Sequence, residues 1–424
     1  MAIDHEPAAA AATSGFTAPE KKVSPLFITL YAVLNFGLLL VVMMPALFSL
    51  PYKIGQLDPD NKVALLGLVA TVGALVGIVA GPIAGVFSDR TRTRIGRRRP
   101  WLIAGVIVLA IASTIVAIAP SVPVLLLGWG LISVGIACAS AAITPVVAER
   151  VPEAQRGTVG AIVGVTTQLA GVLGYVIGGS LTSSMLALFL VPVAVLAVTA
   201  IIYMIVIREE MVALPSATLA QTFRTLVFNP RRYPDFALVW LGKLLMQTAL
   251  AFLTTYQLYF VIDRLGFTAE EAGAKLATVG GIGILVTMTF AVVSGILSDK
   301  LKRRKIFILV SAVLAATGLS LLSITDGFGL FVASVMCILG SAGIFGSVDV
   351  AMASDLVPDR DQAGRWMSIY NLAATLSTAI GPLAGASLLL MSSPAGQNYT
   401  ALFLAGAVAA LGVGAASLFI KGVR

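Results

Sequence analysis

Lys243 and Asp349 are ionisable residues set inside long apolar runs. A charge held in hydrocarbon is costly, so one that persists there has a partner or a task. Lys243 follows Pro234 by nine residues, and Asp349 precedes Asp355 by six. At 1.5 Å per residue these are comparable depths, roughly 13 Å and 9 Å from one face of a helical layer. The chemistry open to such a pair is coupling: a carboxyl that takes up a proton releases its lysine. The bland alternative is a static ion pair near a membrane edge, with the lysine stem snorkelling.

Polar groups flank both charges. Lys243, Gln247, Thr254 and Gln257 are spaced 4, 7 and 3, which places them on one helix face, with Tyr256 and Tyr259 nearby. Ser368, Asn371, Thr375 and Thr378 form a second stripe, spaced 3, 4 and 3. Asn35 lies in the first apolar run, and Gln168 and Tyr175 lie seven apart in another. A lone Ser or Thr in a span is readily satisfied by its own helix. Amides are costlier in lipid and point to a cavity wall. Neutral amides, hydroxyls and tyrosines suit an uncharged, polyhydroxylated ligand, although Asp349 alone could serve a cationic one.

Other chemistries lack their residues. The single histidine, His5, lies in the polar N-terminal segment, and Cys138 and Cys337 fall in apolar runs. There is no nucleophile–base set, metal-ligand cluster, disulfide framework or phosphate-binding glycine loop; "GGIGIL" at 280–285 lies inside a span. The sequence reads as a non-enzyme with no cofactor and no metal.

The elements that position these residues are membrane helices. The chain is 58% hydrophobic and only 11% charged, far below the roughly one quarter usual in soluble domains. Apolar runs of spanning length cover 26–50, 62–87, 100–120, 122–147, 157–180, 185–207, 234–262, 272–298, 305–324, 328–354, 363–391 and 398–420. This predicts an all-α membrane protein of twelve transmembrane helices. The lysines and arginines divide 23 on one side to 4 on the other, with Lys243 inside a span. The positive-inside rule then makes both termini cytoplasmic. Residues 1–24 are expected to be a disordered cytoplasmic tail, not a signal peptide, and the membrane to be the cell's outer boundary. The +8 net charge lies in short loops between spans, so nucleic acid is not an expected partner.

The segment 208–233 divides the spans into halves, 25–207 and 234–424, joined by a cytoplasmic linker. "GVFSDR" at 85–90 is echoed by "GILSDK" at 295–300, "VPEAQRG" at 151–157 by "VPDRDQAG" at 357–364, and "GYVIGG" at 174–179 by "GPLAGA" at 381–386. Parallel repeats of this kind mark a transporter of two pseudo-symmetric six-helix bundles with a site between them.

The loop 85–101 holds six arginines and carries Gly85, Asp89, Arg90, Gly96, Arg97 and Arg98. This pattern resembles the G-x-x-x-D-R-x-G-R-R signature of the major facilitator superfamily, here with six residues between Arg90 and Arg97 where the signature has two. The longer loop is similar to that of the glycoside–pentoside–hexuronide and sucrose-type branches, which import sugars with a cation. The aspartates of the sodium-coupled members are missing from 26–50 and 62–87, and the fourth span has only Glu149 at its end. "AGVLGYVIGG" at 170–179 is a partial match to drug–proton antiporters; the plainer reading of such small residues is close helix packing.

The resemblance implies alternating access, a small-molecule substrate, a proton as coupling ion, a lipid bilayer as surroundings and a monomer. It implies that helices 1, 4, 7 and 10 line the cavity, so that Lys243 and Asp349 sit on neighbouring helices and pair. It also implies a cytoplasmic latch. Asp89 would sit at the start of helix 11, and Arg90 and an arginine from 97–99 would bridge to carboxylates such as Glu149, with Asp299 and Lys300 as the weaker copy. Closed, this latch would hold the outward-open state. Sugar or glycoside transport is the first functional reading. A drug or metabolite efflux antiporter, an uncoupled uniporter and a transporter-like sensor are the alternatives.

Overall fold

The computed structural model describes residues 22–207, 228–391 and 397–422. Most of the expected tail and linker lies outside the described residues. Twelve helices among the rest are long and apolar enough to cross a membrane. They are α1 (Pro25–Leu57), α2 (Lys62–Arg90), α3 (Arg99–Ile118), α4 (Val122–Arg150), α5 (Glu153–Ser180) and α6 (Met185–Val206), then α7 (Pro234–Arg264), α8 (Ala269–Leu301), α9 (Arg304–Ser323), α10 (Phe328–Asp355), α11 (Ala363–Leu390) and α12 (Tyr399–Phe419). The all-α expectation of twelve spans holds.

Local chemistry sets the ends. Pro25 opens α1 behind Ser24, whose hydroxyl accepts from the Phe27 N–H at 3.2 Å. At α8, Thr268 and Glu271 form a reciprocal capping box, which satisfies two otherwise orphaned donors. Between α2 and α3 the chain reverses at Gly96, whose φ of 118° would strain any side chain. The first helix runs past its expected end at 50, because a widened π-type turn at Pro45–Ser49 carries it through Pro51 to Leu57. Pro45 has no N–H to offer, and one wide turn absorbs the break. α7 carries a turn of the same kind at Phe260–Arg264.

The packing repeats. In the first six helices, α1 packs on α5 and α6, α2 on α4, and α3 on α4 and α6. In the second six, α7 packs on α11 and α12, α8 on α10, and α9 on α10 and α12. Adding six to each first-half number gives the second-half set, so the same bundle is built twice. The bundles meet along two seams, α2 against α11 and α5 against α8, which the same rule exchanges. On the second seam, a Cβ added to Gly273 would stand 2.8 Å from the Gly179 Cα. Only glycine permits that approach, and van der Waals contact at such small residues holds membrane helices together.

Candidate functional site

The two charges within the spans meet. Lys243 Nζ on α7 lies 3.7 Å from Asp349 Oδ2 on α10. Tyr370 on α11 donates its O–H to the same oxygen. The Lys243 ammonium also sits over the Tyr370 ring, 3.8 Å from its centroid. Asp349 is 2% exposed, so these two partners replace the water it gives up. Two of the three helices are tied again beside it: Trp240 on α7 donates from Nε1 to the Ile369 carbonyl on α11 at 2.9 Å. Removing one member of a buried ion pair costs about 3–5 kcal/mol, because the other is left uncompensated.

Polar stripes extend from this centre. On α7, Gln247 and Gln257 are half-buried and Thr254 is exposed. On α11, Ser368, Asn371, Thr375 and Thr378 are all exposed along one face. The hydroxyls largely serve their own helices: Thr254 donates to the Leu250 carbonyl at 3.2 Å, Ser368 to Gly364 at 2.8 Å and Thr378 to Thr375 at 2.7 Å, while Thr375 reaches Asn371 more loosely at 3.4 Å. Among the described residues, no protein group hydrogen-bonds the side-chain amides of Gln168, Gln247 or Asn371. Asn35 is different. It is 8% exposed and donates to Thr166 Oγ1 at 3.3 Å, so it ties α1 to α5 within one bundle. Gln257 donates to the Tyr175 hydroxyl on α5, a link between bundles.

The contacts between bundles gather at the end away from the arginine loop. Lys62 at the start of α2 pairs with Asp263 on α7 at 2.7 Å, and the Tyr399 hydroxyl donates to the other oxygen of Asp263 at 3.2 Å. Tyr259 on α7 donates to the Pro51 carbonyl on α1 at 2.8 Å, and Thr71 on α2 to the Ala379 carbonyl on α11 at 2.8 Å. A Cβ at Gly67 would meet Ala386 at 2.7 Å. At the arginine-loop end the reverse holds. A Cβ at Gly77, Gly81 or Gly85 on α2, or at Gly157, Gly160 or Gly164 on α5, would meet nothing within 4 Å. The space between the bundles is closed at one end and open at the basic face.

The loop residues pair within their own half. Glu149 accepts from Arg97 at 2.6 Å and also pairs with Arg98. Arg98, buried, reaches Asp89 at 3.5 Å and donates to the Ala141 carbonyl at 2.7 Å. With the bundles apart at this end, Asp89 pairs with Arg98; its expected place at the start of α11 belongs to the state in which the basic ends meet. One expectation is corrected here. Arg90 is exposed on the loop, and the bridge to Glu149 belongs to Arg97 and Arg98. In the second half Lys300 is exposed, and the pairing cation is Arg304, 3.0 Å from Asp355 and 3.8 Å from Asp299. Arg98 with Glu149 and Arg304 with Asp355 are one motif built twice, each residue displaced by 206 positions.

The Major Facilitator Superfamily profile matches residues 26–348 and, overlapping, 285–423. The chain belongs to the major facilitator superfamily. It is a multi-pass membrane transport protein. The nucleoside transporter NupG, in a mutant form, resembles this member in fold, with a TM-score of 0.74 at 12% identity, covering 93% of this chain and 99% of that one. Local sequence likeness reaches the "Uncharacterized symporter sll1374" of Synechocystis sp., 45% identical over 51 residues. It also reaches the "Sucrose transport protein SUT4" of Oryza sativa subsp. indica, 36% identical over 53 residues. Each of these two matches spans 12% of this chain and 9% of the relative.

Several groups in this superfamily member escape a reading of the sequence. Tyr370 precedes Asn371, but about 100° around the helix it is buried against Asp349 on α10 while Asn371 is exposed, so no stripe includes it. Lys62 and Asp263 stand 201 residues apart at helix ends, where charges are ordinary. Arg304 was legible in principle, because the repeat offset that relates Glu149 to Asp355 carries Arg98 onto it.

Proposed function

We propose that this superfamily member transports an uncharged polyhydroxylated solute, a sugar or glycoside, by alternating access coupled to a proton. The observation that carries the reading is the Asp349–Lys243–Tyr370 centre, a buried carboxylate at the junction of three helices. Protonation of Asp349 releases Lys243 and loosens α10 from α7 and α11, which links a proton to rearrangement of the cavity wall. Gln168, Gln247 and Asn371 supply amides whose hydrogen bonds are open to a ligand. The local likeness to a sucrose transport protein supports the same substrate class. With the basic face placed in the cytoplasm, the cavity opens inward and the Lys62–Asp263 pair closes the outer side. The latch of Asp89, Arg97, Arg98 and Glu149 is then open, and it closes when the basic ends meet. The member acts as a monomer in the cell membrane.

The test is uptake into proteoliposomes of radiolabelled sucrose, xylose and a nucleoside under an imposed pH gradient. Accumulation of a saccharide that collapses in Asp349→Asn, with exchange spared, is the expected result. Undiminished accumulation by that variant overturns the coupling role, and transport indifferent to the pH gradient makes the protein a uniporter. Efflux of a lipophilic cation is the second reading, favoured by Asp349 as a carboxylate beside the cavity. A cation that raises the unfolding temperature only when Asp349 is present would put it first.

A further inference from the structure

The second helix has an exposed apolar face apart from its contacts with α11. Gly67 and Thr71 turn to α11, and Gly73 turns to Trp129 on α4. Gly77, Gly81 and Gly85 border the open space between the bundles. A third face, on the opposite side from those glycines by helical periodicity, carries Leu75, Val79 and Ile83, which are 52%, 52% and 36% exposed. This face looks out to the bilayer.

A furrow of about 620 Å³ runs along it, lined by Leu75, Val79 and Ile83 with Val134 and Cys138 of α4 and Trp101 of α3. Trp101 is fixed at the end of the furrow by donating from Nε1 to Thr91 Oγ1 at 2.8 Å. Beyond Ile83 the same helix face continues through Phe87, 50% exposed, to Arg90. Arg92 and Arg94 follow on the exposed turn that Gly96 closes. Among the described residues, no carboxylate pairs with Arg90, Arg92 or Arg94, whereas Arg97 and Arg98 both pair with Glu149. The apolar stretch from Leu75 to Phe87 is about 18 Å long at 1.5 Å per residue. That is close to one leaflet of a hydrocarbon core roughly 30 Å thick.

We propose that the furrow and the three arginines form a site for an anionic phospholipid. One acyl chain lies in the furrow between α2 and α4, against Val79 and Val134, with Trp101 at the polar boundary. The phosphate is held by Arg90, Arg92 and Arg94, whose planar forks match phosphate oxygens. Basic groups beside a gap between membrane helices are the general means of recognising such headgroups. The arrangement explains why the loop carries more arginines than its carboxylates can pair.

The test is native mass spectrometry of the full chain in detergent, titrated with dioleoylphosphatidylglycerol or dioleoylphosphatidylcholine. The native protein is expected to retain the anionic lipid at least tenfold better. Replacing the exposed cations (Arg90→Gln, Arg92→Gln and Arg94→Gln together) is expected to lower retention to the phosphatidylcholine level. Val79→Trp, which fills the furrow and leaves the charge unchanged, is expected to lower it about tenfold, with thermal unfolding confirming that each variant is folded. Equal retention of both lipids by the native chain overturns the proposal. So does anionic-lipid retention that either variant leaves intact, or displacement of that lipid by inorganic phosphate, which would mark an anion site without a furrow.

Discussion

Lys62 and Asp263 form a 2.7 Å ion pair that joins the first bundle to the second at the end away from the arginine loop. Their side chains are 20% and 11% exposed, and Tyr399 donates to the carboxylate oxygen that Lys62 leaves free. A charge-assisted bond this sheltered contributes about 1.5–3 kcal/mol. Asp263→Asn is therefore predicted to shift the balance toward opening at this end by roughly 10- to 100-fold, since about 1.4 kcal/mol corresponds to tenfold. A single cysteine at Gln257, in a variant lacking Cys138 and Cys337, reports the change: maleimide labelling from that side rises in Asp263→Asn. An unchanged labelling rate would remove the pair from the closure.

The centre around Asp349 makes a prediction about stability that does not depend on substrate. Lys243→Met leaves a buried carboxylate without its cation and is expected to cost about 3–5 kcal/mol. Adding Asp349→Asn should restore a large part of that loss, because the stranded charge is gone. Thermal unfolding of the two single variants and the double variant forms the cycle. Strict additivity would mean that the 3.7 Å approach carries no coupling energy.

Tyr370→Phe deletes one oxygen and leaves the ring under Lys243. Asp349 then loses a hydrogen bond to a charged acceptor, worth about 1.5–3 kcal/mol. The variant is predicted to unfold at a lower temperature and to accumulate less solute under a pH gradient. Tyr370→Leu should be worse still, since it also removes the cation–π contact. Equal behaviour of the two variants would assign the whole effect to the hydroxyl and none to the ring.

The two ends of α2 answer differently to an added side chain. Gly67→Val places its Cβ 2.7 Å from Ala386 and 2.9 Å from the Pro382 carbonyl, so the seam must part and stability should fall. Gly85→Val meets nothing within 4 Å, so its unfolding temperature should match that of the native protein. Yet it obstructs the approach of the bundles at the basic face, and transport should fall several-fold. Full transport by Gly85→Val would show that the basic ends never close on that glycine.

The span count and the repeat were legible in the sequence because each follows from composition or period, and the Lys243–Asp349 pair through the resemblance, which puts their helices side by side. Apolar runs mark helices, and a charge among them needs a partner. What stayed hidden depends on the relative placement of the bundles. Asp89 pairs with Arg98 because the basic ends are apart. Asn35 was hidden for a different reason: it bonds Thr166 within its own bundle, and the sequence does not encode which α5 residue it meets. The Pro45–Ser49 turn was hidden for another reason: its wide geometry lets α1 continue through a proline that normally ends a helix.

The two seams also set the leverage of the molecule. Two of their contacts, Thr71 with Ala379 and Val172 with Gly280, lie away from the basic ends, Thr71 standing in the first third of α2. From Thr71 to the start of α2 at Lys62 is about 14 Å, and to its basic end at Arg90 about 28 Å, at 1.5 Å per residue. The fulcrum is off-centre, and a rigid tilt about it sweeps the basic ends through about twice the arc of the opposite ends. A small parting at the Lys62–Asp263 pair therefore swings the two glycine-lined walls at the far end together by double that distance.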